Sequence, residues 1–178
     1  MLNREDVCKR IAEVALLRGE FTLRSGRTSK YYLDKYLFTT QPDILEALGK
    51  MFADRINKLP GADRLAGTEL GGIPLVSAAA IATGLPAVLI RNRKKDYGTA
   101  KQLEGAISPG EKVVLLEDIA TTGGQVLEAG VMLREEFNVE VPAIIATIDR
   151  QEGARENIEA AGFVFDALFT KSDLGIDE

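Results

Sequence analysis

The chain has 178 residues, the length of one domain, with 46% apolar and 28% charged residues, an ordinary balance for a globular protein. A net charge of −5 argues against a broad nucleic-acid surface, and no stretch reads as a bilayer span or signal peptide, so the cytoplasm is the expected compartment. With no histidine, Ser-His-Asp triads and imidazole acid–base chemistry are excluded, and Cys8, the single cysteine, leaves no internal disulfide.

Val7, Ile11, Val14 and Arg18 fall on one helical ridge, which predicts an amphipathic helix over residues 3–18 that Gly19 ends. Short extended pieces are expected at 21–23 and 31–34, around a turn at Ser25 and Gly26. Pro42 suits a first helical position, and apolar residues from Ile44 to Ile56 carry that helix to about residue 58. Strands are then predicted at 64–68, 87–91, 112–118, 141–149 and 163–169, and helices at 73–83, 123–137 and 152–161.

The strands contain continuous apolar runs, VVLL and AIIATI, as strands buried on both faces do. The pattern predicts an α/β fold with a central, mainly parallel sheet flanked by helices, residues 1–178 forming a single domain. Ligands in such sheets bind beyond the carboxyl ends of the strands, which directs attention to residues 68–72, 91–105, 117–125 and 149–153.

Residues 113–124, VVLLEDIATTGG, combine a buried strand, two carboxylates at its end, two hydroxyls, two glycines and a helix start. Glu117 and Asp118 offer acceptors for paired sugar hydroxyls. Thr121, Thr122, Gly123 and Gly124 offer hydroxyls and open amides at a positive helix end, a suitable phosphate cradle. Taken piecemeal, the same residues also read as ordinary N-capping. The whole string resembles the phosphoribosyl pyrophosphate (PRPP) motif of type I phosphoribosyltransferases. That resemblance implies that Glu117 and Asp118 hold the ribose hydroxyls. Ala120 to Gly124 would wrap the 5′-phosphate, with Ile119 and Gln125 in the same contact set.

Three further segments resemble the orotate phosphoribosyltransferases. Residues 21–34, FTLRSGRTSKYYLD, are similar to that family's N-terminal signature, part of a hood over the base site, and place Arg24 near base and PRPP. Arg150, in DRQEGA after a strand, has two readings by position: a planar fork for a carboxylate, or a helix-start arginine paired with Glu152. The resemblance assigns it, with Thr121, to orotate. Residues 90–105 form a dense basic loop that alone reads as a solvated face. It resembles the family's mobile catalytic loop, which implies PRPP contacts from Arg91, Lys94, Lys95 and Tyr97. Lys95 and Asp118 are then the expected catalytic residues. Asn92 and Tyr97 depart from the family's usual lysine and histidine, and Arg93, Lys94 and Lys101 offer replacement charge. The turn at 68–74 resembles the pyrophosphate loop, although Glu69 and Gly71–Gly72 stand where some members carry Tyr-Lys.

The resemblance therefore implies a type I phosphoribosyltransferase fold with a small hood built from residues 1–40 and the C-terminal residues. It implies orotate and PRPP as substrates, Mg2+ without direct side-chain ligation, and a homodimer sharing the 92–104 loop. Neither nucleic acid nor membrane is expected as a partner. Two alternatives stay open: a phosphoribosyltransferase for another nucleobase, and a non-enzymatic PRPP-sensing regulator.

Overall fold

A computed structural model describes residues 2–22, 26, 28–92 and 102–176. Helix α1 (Arg4–Ala15) opens with a capping box, Asn3 accepting from the Asp6 amide and Asp6 from the Asn3 amide. It stops three residues before the position the helical ridge predicts. Leu16 turns extended, and β1 (Leu16–Thr22) pairs antiparallel with β2 (Thr28–Leu33). The pairings Leu16 with Leu33 and Leu17 with Tyr32 override the helical repeat, and Gly19 lies at an irregularity of this hairpin rather than at a helix end.

Helix α2 (Lys35–Thr39) is unforeseen: five residues are too few to show a period, and its signal is the Asp34 side chain accepting from the Tyr36 amide. Helix α3 (Pro42–Ile56) starts at its proline and buries Ile44, Leu48, Phe52 and Ile56 along one face.

Among the described residues, the main sheet has six strands in the order β5-β4-β3-β6-β7-β8. These are β3 (Arg64–Thr68), β4 (Ala87–Ile90), β5 (Leu103–Glu104), β6 (Val113–Ala120), β7 (Ile144–Asp149) and β8 (Phe165–Thr170). All neighbours are parallel except β5, an antiparallel edge piece that sequence periodicity did not reveal. The crossovers run through α4 (Gly72–Thr83), α5 (Gly124–Phe137) and α6 (Ala154–Ala160).

Strand alternation divides the core. Val114 and Leu116 of β6 face a cluster with Ile44, Leu48, Phe52 and Leu75 from α3 and α4. Val113 and Leu115 face the opposite cluster with Val126, Leu133 and Ile158 from α5 and α6. Burial on both faces explains the unbroken apolar run of β6 and fixes it at the centre of the sheet. Strand β6 runs on to Ala120, two residues further than expected, so both acids lie within the strand.

Candidate active site

At the carboxyl end of β6, Glu117 to Val126 form an unbroken wall of a cavity of about 510 Å³, and Lys35 closes its side. Glu117 and Asp118 are only 6% and 2% exposed, yet both line this cavity, so they make its floor rather than part of the apolar core. The Thr68 hydroxyl donates to Glu117 Oε2 at 2.9 Å. Asp118 Oδ1 accepts from the Ile119 amide at 2.6 Å, and Lys35 Nζ lies 2.9 Å from Asp118 Oδ2. A third His, Cys, Asp or Glu does not join them in a metal-holding group among the described residues.

The local electrostatics follow from burial. Desolvation, then the Asp118 charge, pushes the Glu117 carboxyl up to about 8, against the pull of the Thr68 hydroxyl. Burial works against charge on Lys35, but the Asp118 carboxylate outweighs it and holds the ammonium above its ordinary pKa. A neutral Glu117 beside a Lys35–Asp118 ion pair keeps the floor close to electroneutral, which limits its desolvation cost.

Thr121 and Thr122 follow, and then α5 begins. No side chain caps that helix; its N-cap, Gly123, has φ +76°. A Cβ on Gly123 would lie 2.9 Å from Ile158 Cδ1, so this position needs glycine for both conformation and space. The uncapped helix end faces the cavity and can receive an anion. Gln125 lines the same wall, while its amide nitrogen reaches the Glu69 carbonyl at 3.4 Å and Asn92 Oδ1.

The other expected residues are placed as follows. Arg91 sits at the base of the basic loop, its Nε donating to Glu104 at 2.9 Å. Asn92 reaches the 69–72 turn by donating its amide to the Glu69 carboxylate at 2.8 Å. Arg150 stands beside the cavity, its amide donating to the Ala120 carbonyl at 2.9 Å. Its guanidinium pairs with Glu152 at 3.0 Å and donates to the Tyr31 hydroxyl at 2.8 Å, while its buried Nε meets no partner among the described residues. Arg24, Lys94, Lys95 and Tyr97 lie outside the described residues.

Sequence reasoning missed Lys35 and the role of Tyr31. The signal for Lys35 was faint: an Asp-Lys pair at a helix start, distant in sequence from the acids it meets.

Residues 38–175 match the family model described as a phosphoribosyl transferase domain, which sets the class of this protein. The orotate phosphoribosyltransferase of Natronomonas pharaonis is 45% identical over 177 residues, 99% of each chain. The Mycobacterium tuberculosis H37Rv orotate phosphoribosyltransferase is 28% identical and covers 97% of this chain and 98% of its own. Its TM-score is 0.86 in complex with Fe(III) dicitrate and 0.81 in complex with PRPP. The chain belongs to the orotate phosphoribosyltransferase family.

Proposed function

We propose that the chain transfers the phosphoribosyl group of PRPP to orotate, giving orotidine 5′-monophosphate and pyrophosphate. A ring nitrogen of orotate gives up its proton, to solvent or to a diphosphate oxygen, and bonds to the anomeric carbon as the carbon–oxygen bond to the diphosphate breaks, the electron pair leaving with pyrophosphate. The observation that carries this reading is the continuous wall from Glu117 to Gln125, with acids at one end and an uncapped helix start at the other. A sugar phosphate needs that spacing of acceptors and donors. PRPP is bound by the Mycobacterium tuberculosis relative.

In this reading Asp118 and Glu117 accept from the ribose hydroxyls, and Thr121 to Gly124 donate to the 5′-phosphate. Displacement places positive charge on the ribose, which the Asp118 carboxylate stabilises from the cavity floor. Positioning and electrostatics, more than proton transfer, lower the barrier. Arg91 and Lys95 stabilise the departing diphosphate, and loss of one such contact would cost about 3 kcal/mol, roughly a hundredfold.

Arg150 reads orotate. Among the described residues its Nε is a buried donor without an acceptor, a state that costs about 1–3 kcal/mol and that a carboxylate would relieve. The pairing with Glu152 gives Arg150 a structural duty as well, which is compatible with the proposed one. Arg24 would approach the base from the hood, which residues 1–40 form with the C-terminal segment; Arg4 of α1 bonds Asp173 there at 2.9 Å.

The donor set fits a magnesium ion held by substrate oxygens and water, since two buried carboxylates already engaged by Lys35 and Thr68 make no cage of their own. When bound, such an ion neutralises charge on the diphosphate. We further propose cytoplasmic location, for which one consistent fact is that no helix among the described residues is long and apolar enough to cross a membrane. A homodimer sharing the 92–104 loop completes the proposal.

A magnesium-dependent turnover assay with orotate and PRPP tests the reading. Competing uracil and purine bases would separate it from a phosphoribosyltransferase of other specificity. PRPP binding without turnover of any base would favour a regulator.

A further inference from the structure

The acid corner and the turn beside it differ in charge from what a diphosphate ester requires. The turn after β3 carries Glu69, Leu70, Gly71 and Gly72, one anion and no cation, and its Gly71 abuts the acid corner. A diphosphate on the anomeric carbon sits one carbon away from the 2-hydroxyl. If Glu117 and Asp118 hold the ribose hydroxyls, the diphosphate arrives next to two carboxyl groups and needs a cation close by.

Lys35 stands at that place. Its Nζ is 2.9 Å from Asp118 Oδ2, and its side chain, 32% exposed, lines the same cavity as the acids and the α5 start. Its stem runs against Gly71: a Cβ there would lie 3.2 Å from Lys35 Cδ and 2.0 Å from Asp118 Oδ2. The turn therefore has no room for a side chain at Gly71, and the space such a side chain would use is filled by the Lys35–Asp118 pair. A lysine carries three donors, so Nζ can keep Asp118 and still give a proton to a phosphate oxygen.

We infer that Lys35 is a diphosphate-binding residue, supplying from α2 the cation that the 69–72 turn lacks. Asp118 holds its ammonium in the cavity before the ligand arrives, so little ordering is left to do on binding. This rests on the proposed transferase reading of the cavity, which it deepens by assigning the leaving-group subsite.

The test compares two probes, inorganic pyrophosphate with magnesium and ribose 5-phosphate, on wild type, Lys35→Met and Lys35→Arg. Methionine keeps the stem and removes the charge. Lys35→Met should weaken pyrophosphate binding by about tenfold or more, the worth of a charge-assisted hydrogen bond. Ribose 5-phosphate, which lacks the diphosphate, should change by less than about threefold, and Lys35→Arg should keep pyrophosphate within the same range. Unchanged pyrophosphate affinity in Lys35→Met would overturn the inference. So would equal loss of both probes, the mark of a merely structural lysine; melting temperatures identify a folding defect. Orotate turnover by wild type, measured alongside, separates the claims: its absence counts against the reaction, while the pyrophosphate comparison decides Lys35.

Discussion

The Tyr31 hydroxyl accepts a 2.8 Å hydrogen bond from Arg150 Nη2, and the guanidinium carbon lies 5.2 Å from the Tyr31 ring centroid. One contact thus ties the N-terminal hairpin to the end of β7. Tyr31 is buried, so it restrains the fork that is proposed to read the carboxylate of orotate. Tyr31→Phe removes one bond to a charged group and should raise the orotate KM by about tenfold, with the PRPP KM little changed. Arg150→Ala should raise it further. Steady-state kinetics with each substrate varied would check this, and an unaltered orotate KM in Arg150→Ala would refute the carboxylate assignment.

The Glu117 carboxyl sets a pH dependence of stability. Its pKa is about 8 in the folded chain against an ordinary 4.5, so between these values the folded state keeps a proton that the unfolded state has lost. Its contribution is complete below pH 4.5 and is lost as pH rises through 8, with a slope approaching about 1.4 kcal/mol per pH unit. Urea unfolding across that range should show stability falling for wild type and a flatter profile for Glu117→Gln. Identical slopes would remove Glu117 as the source.

Gly71 tests the packing of the acid corner. A methyl group at this position would come within 2.0 Å of Asp118 Oδ2, too close unless the carboxylate moves. Gly71→Ala should cost about 1–3 kcal/mol of stability or PRPP affinity, because the overpacked corner must shift. Calorimetric melting together with PRPP titration would reveal it. Wild-type values for both would mean that Asp118 is not confined as described.

For the basic loop, Lys95→Ala should cut turnover about a hundredfold while orotate binding is kept. If the loop acts across a dimer, mixing Lys95→Ala with Asp118→Asn subunits should restore part of the activity. Verified mixed dimers without activity would count against a shared site.

Residues 113–124 could be read directly because every part of the motif is contiguous: a strand buried on both faces, then acids, hydroxyls and glycines at its end. Chain order and apolar runs likewise placed the five parallel strands, with end positions shifted by up to three residues. The N-terminal segment misled, since Val7, Ile11 and Val14 continue a helical ridge that cross-strand pairing with Tyr32 and Leu33 then breaks.

What sequence by itself determined is the sheet and the cavity wall from Glu117 to Val126, both products of local pattern and burial. Tertiary structure alone decided which distant groups meet them. Lys35 reaches Asp118, Thr68 reaches Glu117, and Tyr31 reaches Arg150. Each such pair joins residues from different elements, and its partners are chosen by the geometry of packed layers, which no periodicity along one segment encodes.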